Sequence, residues 1–232
     1  MKEMRDASLE LLIDLAQPTI HDRVLDYASG AGIAGFALGP EVSTVEAADE
    51  LPDLLEEGQR LAQELGLFNV AFTLVDLHGL PHKDGEFSLV VCCNSLHLLP
   101  EPGIALAEMQ RVLTSRGRIV VLDAVVDATN DRAFNELARL REPAHRRYFL
   151  IEELDAIAER AGLSVRRHVH LRRTVDLDYW LQAAAVPPPK AELIRSRFKG
   201  LPLDVQSHMD VVFADRMVSF SYDIAGLRLE RP

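Results

Sequence analysis

The sequence predicts an α/β fold: a doubly wound, mostly parallel sheet with helices on both faces and a small helical cap. Three observations predict it. Strand-like apolar runs alternate with helical patterns from residue 22 to residue 125, the rhythm of strand–helix–strand units. One run, "FSLVVCC" at 87–93, is continuously apolar, as suits a parallel strand covered on both faces. The stretch "VLDYASGAGIAG" at 24–35 passes from strand through a glycine turn into a helix.

Residues 1–17 place Leu9, Leu12, Ile13 and Ala16 at helical spacing and stop before Pro18, which predicts an amphipathic helix over the ligand face. "DRVLDYA" is a short buried strand, and the turn after it leads into a helix from about Ile33 to Leu38. "VSTVEAAD" is a second strand ending in Asp49. "LPDLLEEGQRLAQELG" is a helix closed by a glycine cap at Gly66. "VAFTLVD" is a third strand, ending in Asp76, and the apolar run at 87–93 is the fourth. "IALAEMQRVLT" is the next helix and "GRIVVLDAV" the fifth strand. Polar helices follow at 131–141 and 151–162, then a sixth strand, "LSVRRHVHL". Pro187, Pro188 and Pro189 break residues 176–212 into two or three short helices, read as an inserted cap. Residues 213–232 alternate around a turn expected near Ala225–Gly226 and read as a closing strand or hairpin. The whole, 232 residues, reads as one domain with residues 24–171 as its ligand-binding core.

The apolar content of 48% with 26% charged residues fits a globular chain, and no run approaches the ~18 apolar residues of a membrane span. No membrane insertion is therefore expected, and with no apolar leader in "MKEMRDASLE" a cytoplasmic location is the default. The net charge of −11 argues against a nucleic-acid surface, and the basic run "RRHVHLRR" at 166–173 reads as a solvated strand face. The two cysteines, Cys92 and Cys93, are adjacent, so a disulfide framework is excluded. No metal site is expected, because His78 and His82 are separated by Gly79 and Pro81, and His168 and His170 have no accompanying ligand set with zinc spacing.

In such sheets ligands bind beyond the carboxyl ends of the strands, where the strand order reverses. Gly30 and Gly32 let backbone approach a ligand closely, and the helix behind them offers N–H groups to an anionic part. Gly35 reads as close helix packing. Asp49 is placed to accept from ribose hydroxyls. Asp26 is the unusual residue: a buried carboxylate just before the turn repels a pyrophosphate and favours an ammonium. Asp76 is placed to take a donor such as an adenine amine. A zwitterionic nucleoside, S-adenosylmethionine, satisfies all of these together.

With "VLDYASGAG", "VEAADELPDLLEEG", "LGLFNVAFTLVDLHGLPHKDGEFSLVVCCNSLHLLPEP", "ALAEMQRVLTSRGRIVVLD" and "REPAHRRYFLIEELDAIAERAGL" in this order, the chain resembles the class I S-adenosylmethionine-dependent methyltransferases. The nearest group is the small-molecule enzymes related to the ubiquinone/menaquinone C-methyltransferases. The resemblance runs from about Val24 to His170. It implies a seven-stranded Rossmann-like methyltransferase sheet. It also implies that Asp26, Ala28, Ser29, Gly30 and Gly32 line the methionine portion, that Asp49 holds the ribose beside Glu50 and Leu51, and that Asp76 and Leu77 meet the adenine. Cys92 and Cys93 would border the methionine portion or the methyl, with S-adenosylhomocysteine as product. The chain departs from the family's pattern at Ala28, often glycine, at Ser88, often aspartate, at Cys93, often arginine, and at Leu98, often a second histidine.

Methyl transfer is an in-line displacement for which orientation supplies much of the rate, so no obligatory triad is expected. His97 is the first candidate for a base or substrate orienter, since it follows strand four at the ligand end and histidine is the usual side chain for acid–base work near neutral pH. His145, with Tyr148, is the second, while Trp180 reads as cap packing. The expected function is methyl transfer to a small-molecule acceptor at carbon, oxygen or nitrogen, by a chain that could form a homodimer. The alternative, motivated by Leu98 and Cys93, is a cyclisation or rearrangement in the same pocket without methyl loss. A dehydrogenase is disfavoured because none of Tyr27, Tyr148, Tyr179 or Tyr222 has a lysine four residues on.

Overall fold

A computed structural model describes residues 7–214 and 217–232. The chain runs through α1 (Ala7–Ala16), β1 (Arg23–Tyr27), α2 (Ile33–Leu38), β2 (Thr44–Asp49), α3 (Pro52–Leu65), β3 (Val70–Leu74) and β4 (Phe87–Cys93). It continues through α4 (Pro102–Val112), β5 (Leu113–Val125), α5 (Asp131–Arg141), α6 (Ile151–Arg160) and β6 (Ser164–Asp176). Three short helices follow, α7 (Leu177–Gln182), α8 (Pro188–Lys199) and α9 (Leu203–His208), and then β7 (Val212–Ala214) and β8 (Met217–Glu230). Each strand and helix predicted within the described residues is present. The predicted helix over 1–17 is α1, with residues 1–6 lying outside the described ones.

The sheet order is β3-β2-β1-β4-β5-β8-β6, with β7 paired to β8 as an eighth strand beyond the seven expected. The first five strands of that order run parallel, and β8 is antiparallel to both β5 and β6. β1 pairs with β2 on one side and β4 on the other, so the strand order reverses at β1. That reversal leaves a crevice beyond the carboxyl ends of β1 and β4.

Alternation sends each parallel strand's side chains to two cores. Leu25 and Tyr27 of β1, with Val90 and Cys92 of β4, meet Leu106 and Met109 of α4 and Leu154 and Ile157 of α6. Val24, Leu89 and Val91 face the opposite way, onto Leu12 and Leu15 of α1, Phe36 of α2 and Ala62 of α3. A third core joins α5 to the short helices through Phe134, Trp180, Ile194, Phe198 and Phe220. Trp180 stacks near Phe134 and lies under Arg141, so it is packing for this cluster. The Gly66 cap forms as expected, its N–H bonding to Ala62 O and Gln63 O at φ 71°.

No turn exists at Ala225–Gly226; β8 passes straight through, with Gly226 paired to Leu122 and Val169. The glycine is there for α1, because a Cβ on it would stand 2.5 Å from Leu15 Cδ1 and 3.3 Å from Leu11 Cδ2. Gly226→Ala is therefore expected to destabilise the protein by about 1–3 kcal/mol, with Leu15→Ala in the same chain relieving part of that loss. Urea unfolding of the two single variants and the double measures it.

The basic run on β6 is neutralised by partners from across the chain. Arg167 meets Asp14, His168 meets Asp155, and Arg172 meets Asp210 and Asp223. Ser88, where the resemblance expected aspartate, donates to Asp22, whose second oxygen is held by Arg118 at 2.8 Å. Burial opposes ionisation of Asp22, yet the Arg118 and Ser88 hydrogen bonds hold its carboxyl well below the usual range. A second acid at position 88 would face Asp22. No described helix is long and apolar enough to cross a membrane.

Candidate functional site

The crevice opens into a cavity of about 670 Å³, walled by Asp26 and by the loops that follow β1, β2, β3 and β4. The segment after α5 closes one side with Glu142, Ala144 and Arg146, and Leu9 of α1 reaches its edge. No residue of 176–212 lines it. Those helices pack on α5, and with it they form a separate groove lined by Leu137, Leu201 and Val205.

The turn after β1 is held by its own backbone and by one acid. Ser29 N–H donates to Ala48 O and Gly32 N–H to Ser29 O. Gly30 N–H donates to Asp49 Oδ2 at 2.8 Å, and Leu51 N–H to Asp49 Oδ1 at 3.0 Å. Gly30 and Gly32 have φ 55° and 82°, values open to glycine at little cost. Ala28 adopts φ 54° without that freedom, a left-handed backbone that costs of the order of 1 kcal/mol. Glycine at position 28 would remove that strain, which is the physical sense of the family's preference. Ser95 Oγ, 2.8 Å from Ala28 O, ties the strained turn to the end of β4.

Asp26 is 1% exposed yet lines the cavity. Its carboxylate accepts Gly35 N–H at 2.8 Å, and no cation partners it among the described residues. Burial, reinforced by the charge of Asp49 and opposed by the Gly35 hydrogen bond, pushes its pKa up to about 7. The third glycine of the turn region is thus close packing: a Cβ on Gly35 would lie 3.2 Å from Asp26 Oδ2 and 3.1 Å from Val45 Cγ1. Because Gly30 and Gly35 give their N–H groups to Asp49 and Asp26, the turn presents an acidic surface, suited to a cation.

Glu50, Leu51, Leu77 and Cys93 line the cavity as expected. Glu50 accepts Leu77 N–H at 3.0 Å, which fixes the β3 loop over the pocket. Gly32, Asp76 and Cys92 do not line it. Gly32 lies one step back, where a Cβ would stand 2.9 Å from Phe72 Cε1. Asp76 turns outward, its carboxylate accepting His78 N–H. Cys92 is fully buried in the α4–α6 core, because alternation along β4 gives only Cys93 to the cavity side. Burial pushes both thiols well up, so neither is a thiolate near neutrality. Glu50, Asp76 and His78 bring ligand atoms within 4.8 Å of one another, a grouping the sequence reading did not assemble.

The two histidines expected as catalytic lie behind the wall. His97 is 5% exposed, its Nδ1 2.6 Å from Asp123 Oδ1 and its N–H donated to Asp123 Oδ2. Asp123, near the end of β5, captures the ring and turns it into the protein. His145 places Nε2 2.8 Å from Asn135 Oδ1, which also accepts Tyr148 N–H. Burial, helped by His97 and Arg139, lowers the His145 pKa to about 4, so the ring is neutral. The rings of His97, His145 and Tyr148 pack with centroids 4.4–5.4 Å apart. His97 O accepts the N–H groups of both Arg146 and Arg147, so this cluster positions the segment that closes the cavity.

Asn94, Ser95, His78, Glu142 and Arg146 line the cavity without having been singled out from the sequence. Asn94 and Ser95 had a signal, since they follow the carboxyl end of β4 directly. Arg146 had none beyond standing next to His145.

Residues 19–162 match the family described as methyltransferase domain. An uncharacterized methyltransferase of Bacillus subtilis, YcgJ, is 29% identical over 188 residues, 80% of this chain and 74% of its own. The crystal structure of YcgJ superposes with a TM-score of 0.90 at 25% identity, covering 97% of this chain and 98% of that one. The aklanonic acid methyltransferase DauC of a Streptomyces species is 32% identical over 122 residues, and the demethylmenaquinone methyltransferase of Clavibacter sepedonicus 36% over 106. Those two alignments cover 50% and 46% of this chain, and 54% and 42% of the relatives, so the chain matches about half the length of each.

Proposed function

The chain belongs to the methyltransferase-domain family and is an S-adenosylmethionine-dependent methyltransferase, and from that premise we propose that its cavity transfers methyl to a small-molecule acceptor by in-line displacement. The observation that carries the reading is Asp26, a buried carboxylate without a cation partner among the described residues, set beside a turn that Asp49 pins open. An ammonium group there would supply the missing charge.

S-adenosylmethionine, when bound, supplies an electrophilic methyl on a sulfonium that leaves as a neutral thioether. Asp26 holds the ammonium. Asp49 keeps acceptor capacity on both oxygens after taking two N–H groups, and that capacity serves the ribose hydroxyls. Leu51 and Leu77 offer apolar contact for the adenine. Ala28, Ser29 and Cys93 border the methionine chain. The Asp123–His97–His145 cluster acts from behind, fixing residues 142–147 so that the acceptor is oriented and water excluded. A small-molecule acceptor is in keeping with the names of the two half-length relatives.

The test is incubation with methyl-labelled S-adenosylmethionine and a panel of small-molecule acceptors, following S-adenosylhomocysteine by mass spectrometry. Methylated product with stoichiometric S-adenosylhomocysteine is expected. Conversion of an acceptor without methyl loss would overturn the reading in favour of a cyclisation or rearrangement. As a check on positioning, Asp123→Asn is expected to lower kcat/KM for the acceptor by about tenfold or more while cofactor affinity holds, since it unpins His97 and not the cofactor wall.

A further inference from the structure

Four carboxylates line the cavity, Asp26, Asp49, Glu50 and Glu142, and each has a role. Asp49 takes Gly30 and Leu51, Glu50 takes Leu77, and Glu142 lies 3.4 Å from Arg141. Asp26 faces the ammonium assigned above. Two donor side chains on the same wall have no partner among the described residues, the Asn94 amide and the Arg146 guanidinium. Among the described residues, Arg146 is the one arginine or lysine lining the cavity.

Its backbone is fixed even so. Arg146 N–H donates to His97 O at 3.0 Å, and its carbonyl accepts from Arg139 at 3.1 Å. The neighbouring arginines are paired, Arg141 with Glu142, and Arg147 with Asp131 and Glu153. Among the described residues, Arg146 differs from these two in lining the cavity with no acid on its guanidinium. The wall beside it is apolar, with Leu98, Leu99, Pro100 and Ala144. A guanidinium presents a planar fork of N–H groups that matches a carboxylate in two parallel hydrogen bonds.

We propose that Arg146, assisted by Asn94, binds a carboxylate on the acceptor, and that the preferred acceptors are small acids with an apolar body. The proposal rests on the reading of the cavity as a methyl-transfer site and names the acceptor class that it takes. Arg146 comes from the segment after α5, whereas Asp26 and Asp49, which hold the cofactor in that reading, come from β1 and β2.

The experiment uses the full chain saturated with S-adenosylhomocysteine and a panel of aryl and alkyl acids, with 2-naphthoate and octanoate among them, each matched with its carboxamide. Titration calorimetry is expected to show at least one acid binding about tenfold or more tighter than its amide. Arg146→Gln should erase that preference, Arg146→Lys should keep part of it, and S-adenosylhomocysteine affinity should be the same in all three proteins. Amides that bind as tightly as acids, an acid preference that survives Arg146→Gln, or no acid binding at 10 mM overturns the proposal. Failure of S-adenosylhomocysteine itself to bind overturns the cofactor reading instead, so the two failures are distinguishable.

Discussion

Asp26→Asn is expected to make the cofactor-free protein more stable above pH 7 and to weaken S-adenosylmethionine binding by about a hundredfold or more. The sign follows from the direction of the shift. Burial raises the folded-state pKa of Asp26 to about 7, above the ordinary carboxylate value of an unfolded chain. Between those values the folded state holds a proton that the unfolded state has released, so stability falls as pH rises through the window. Below about pH 4 the carboxyl is neutral in both states and costs nothing; above pH 7 the full penalty stands, of the order of 2–4 kcal/mol. Asparagine removes that penalty and keeps an acceptor for Gly35 N–H. Urea unfolding at pH 5 and at pH 8 should therefore show a gain for the variant that grows with pH. Saturating S-adenosylmethionine should reverse the order, because only the wild type gains the full binding energy. Cofactor affinity of the wild type should fall about tenfold for each pH unit below 7, as Asp26 takes up its proton, and that dependence should be absent in the variant. An unchanged affinity in Asp26→Asn would remove the residue from the cofactor site.

Asp49→Ala is expected to weaken cofactor binding by about 10²–10³-fold through the other half of the ligand. Two backbone N–H groups, of Gly30 and Leu51, lose a charged acceptor, and the ribose hydroxyls lose theirs. 5′-Methylthioadenosine separates the two acids, since it carries the adenosine without the amino acid. Its affinity should be spared by Asp26→Asn and lost in Asp49→Ala. Equal losses in both variants would mean that the acids act through the fold of the turn and not through separate ends of the cofactor. Asp49→Asn, which keeps an acceptor but gives up the charge, is expected to fall between.

The local pattern alone carried the parallel half of the protein. Strands β1 to β5 are short apolar runs between helical patterns, and their order in the sheet follows from connection rules that need few alternatives. The same locality made Asp26, Asp49 and Gly30 legible, because a strand's last residues and the turn after it must face the ligand crevice. Alternation also separated Cys92 from Cys93, although which of them meets the cavity depended on which face each helix covers.

Contacts between distant residues decided the rest. His97 is placed for chemistry by its position after β4, and is withdrawn from it by Asp123, 26 residues away. Gly226 reads locally as a turn and is in fact the gap into which Leu15 fits. The helices of 176–212 look like a cover for the pocket until Phe134 and Trp180 draw them onto α5. Arg146 looks like Arg141 and Arg147 until the fold puts it on the cavity wall and gives those two their acids. A sequence determines what each segment does with its own backbone and its immediate neighbours; which acid finds which base, and which cavity a side chain is left facing, is set when elements far apart in the chain compete for the same partners.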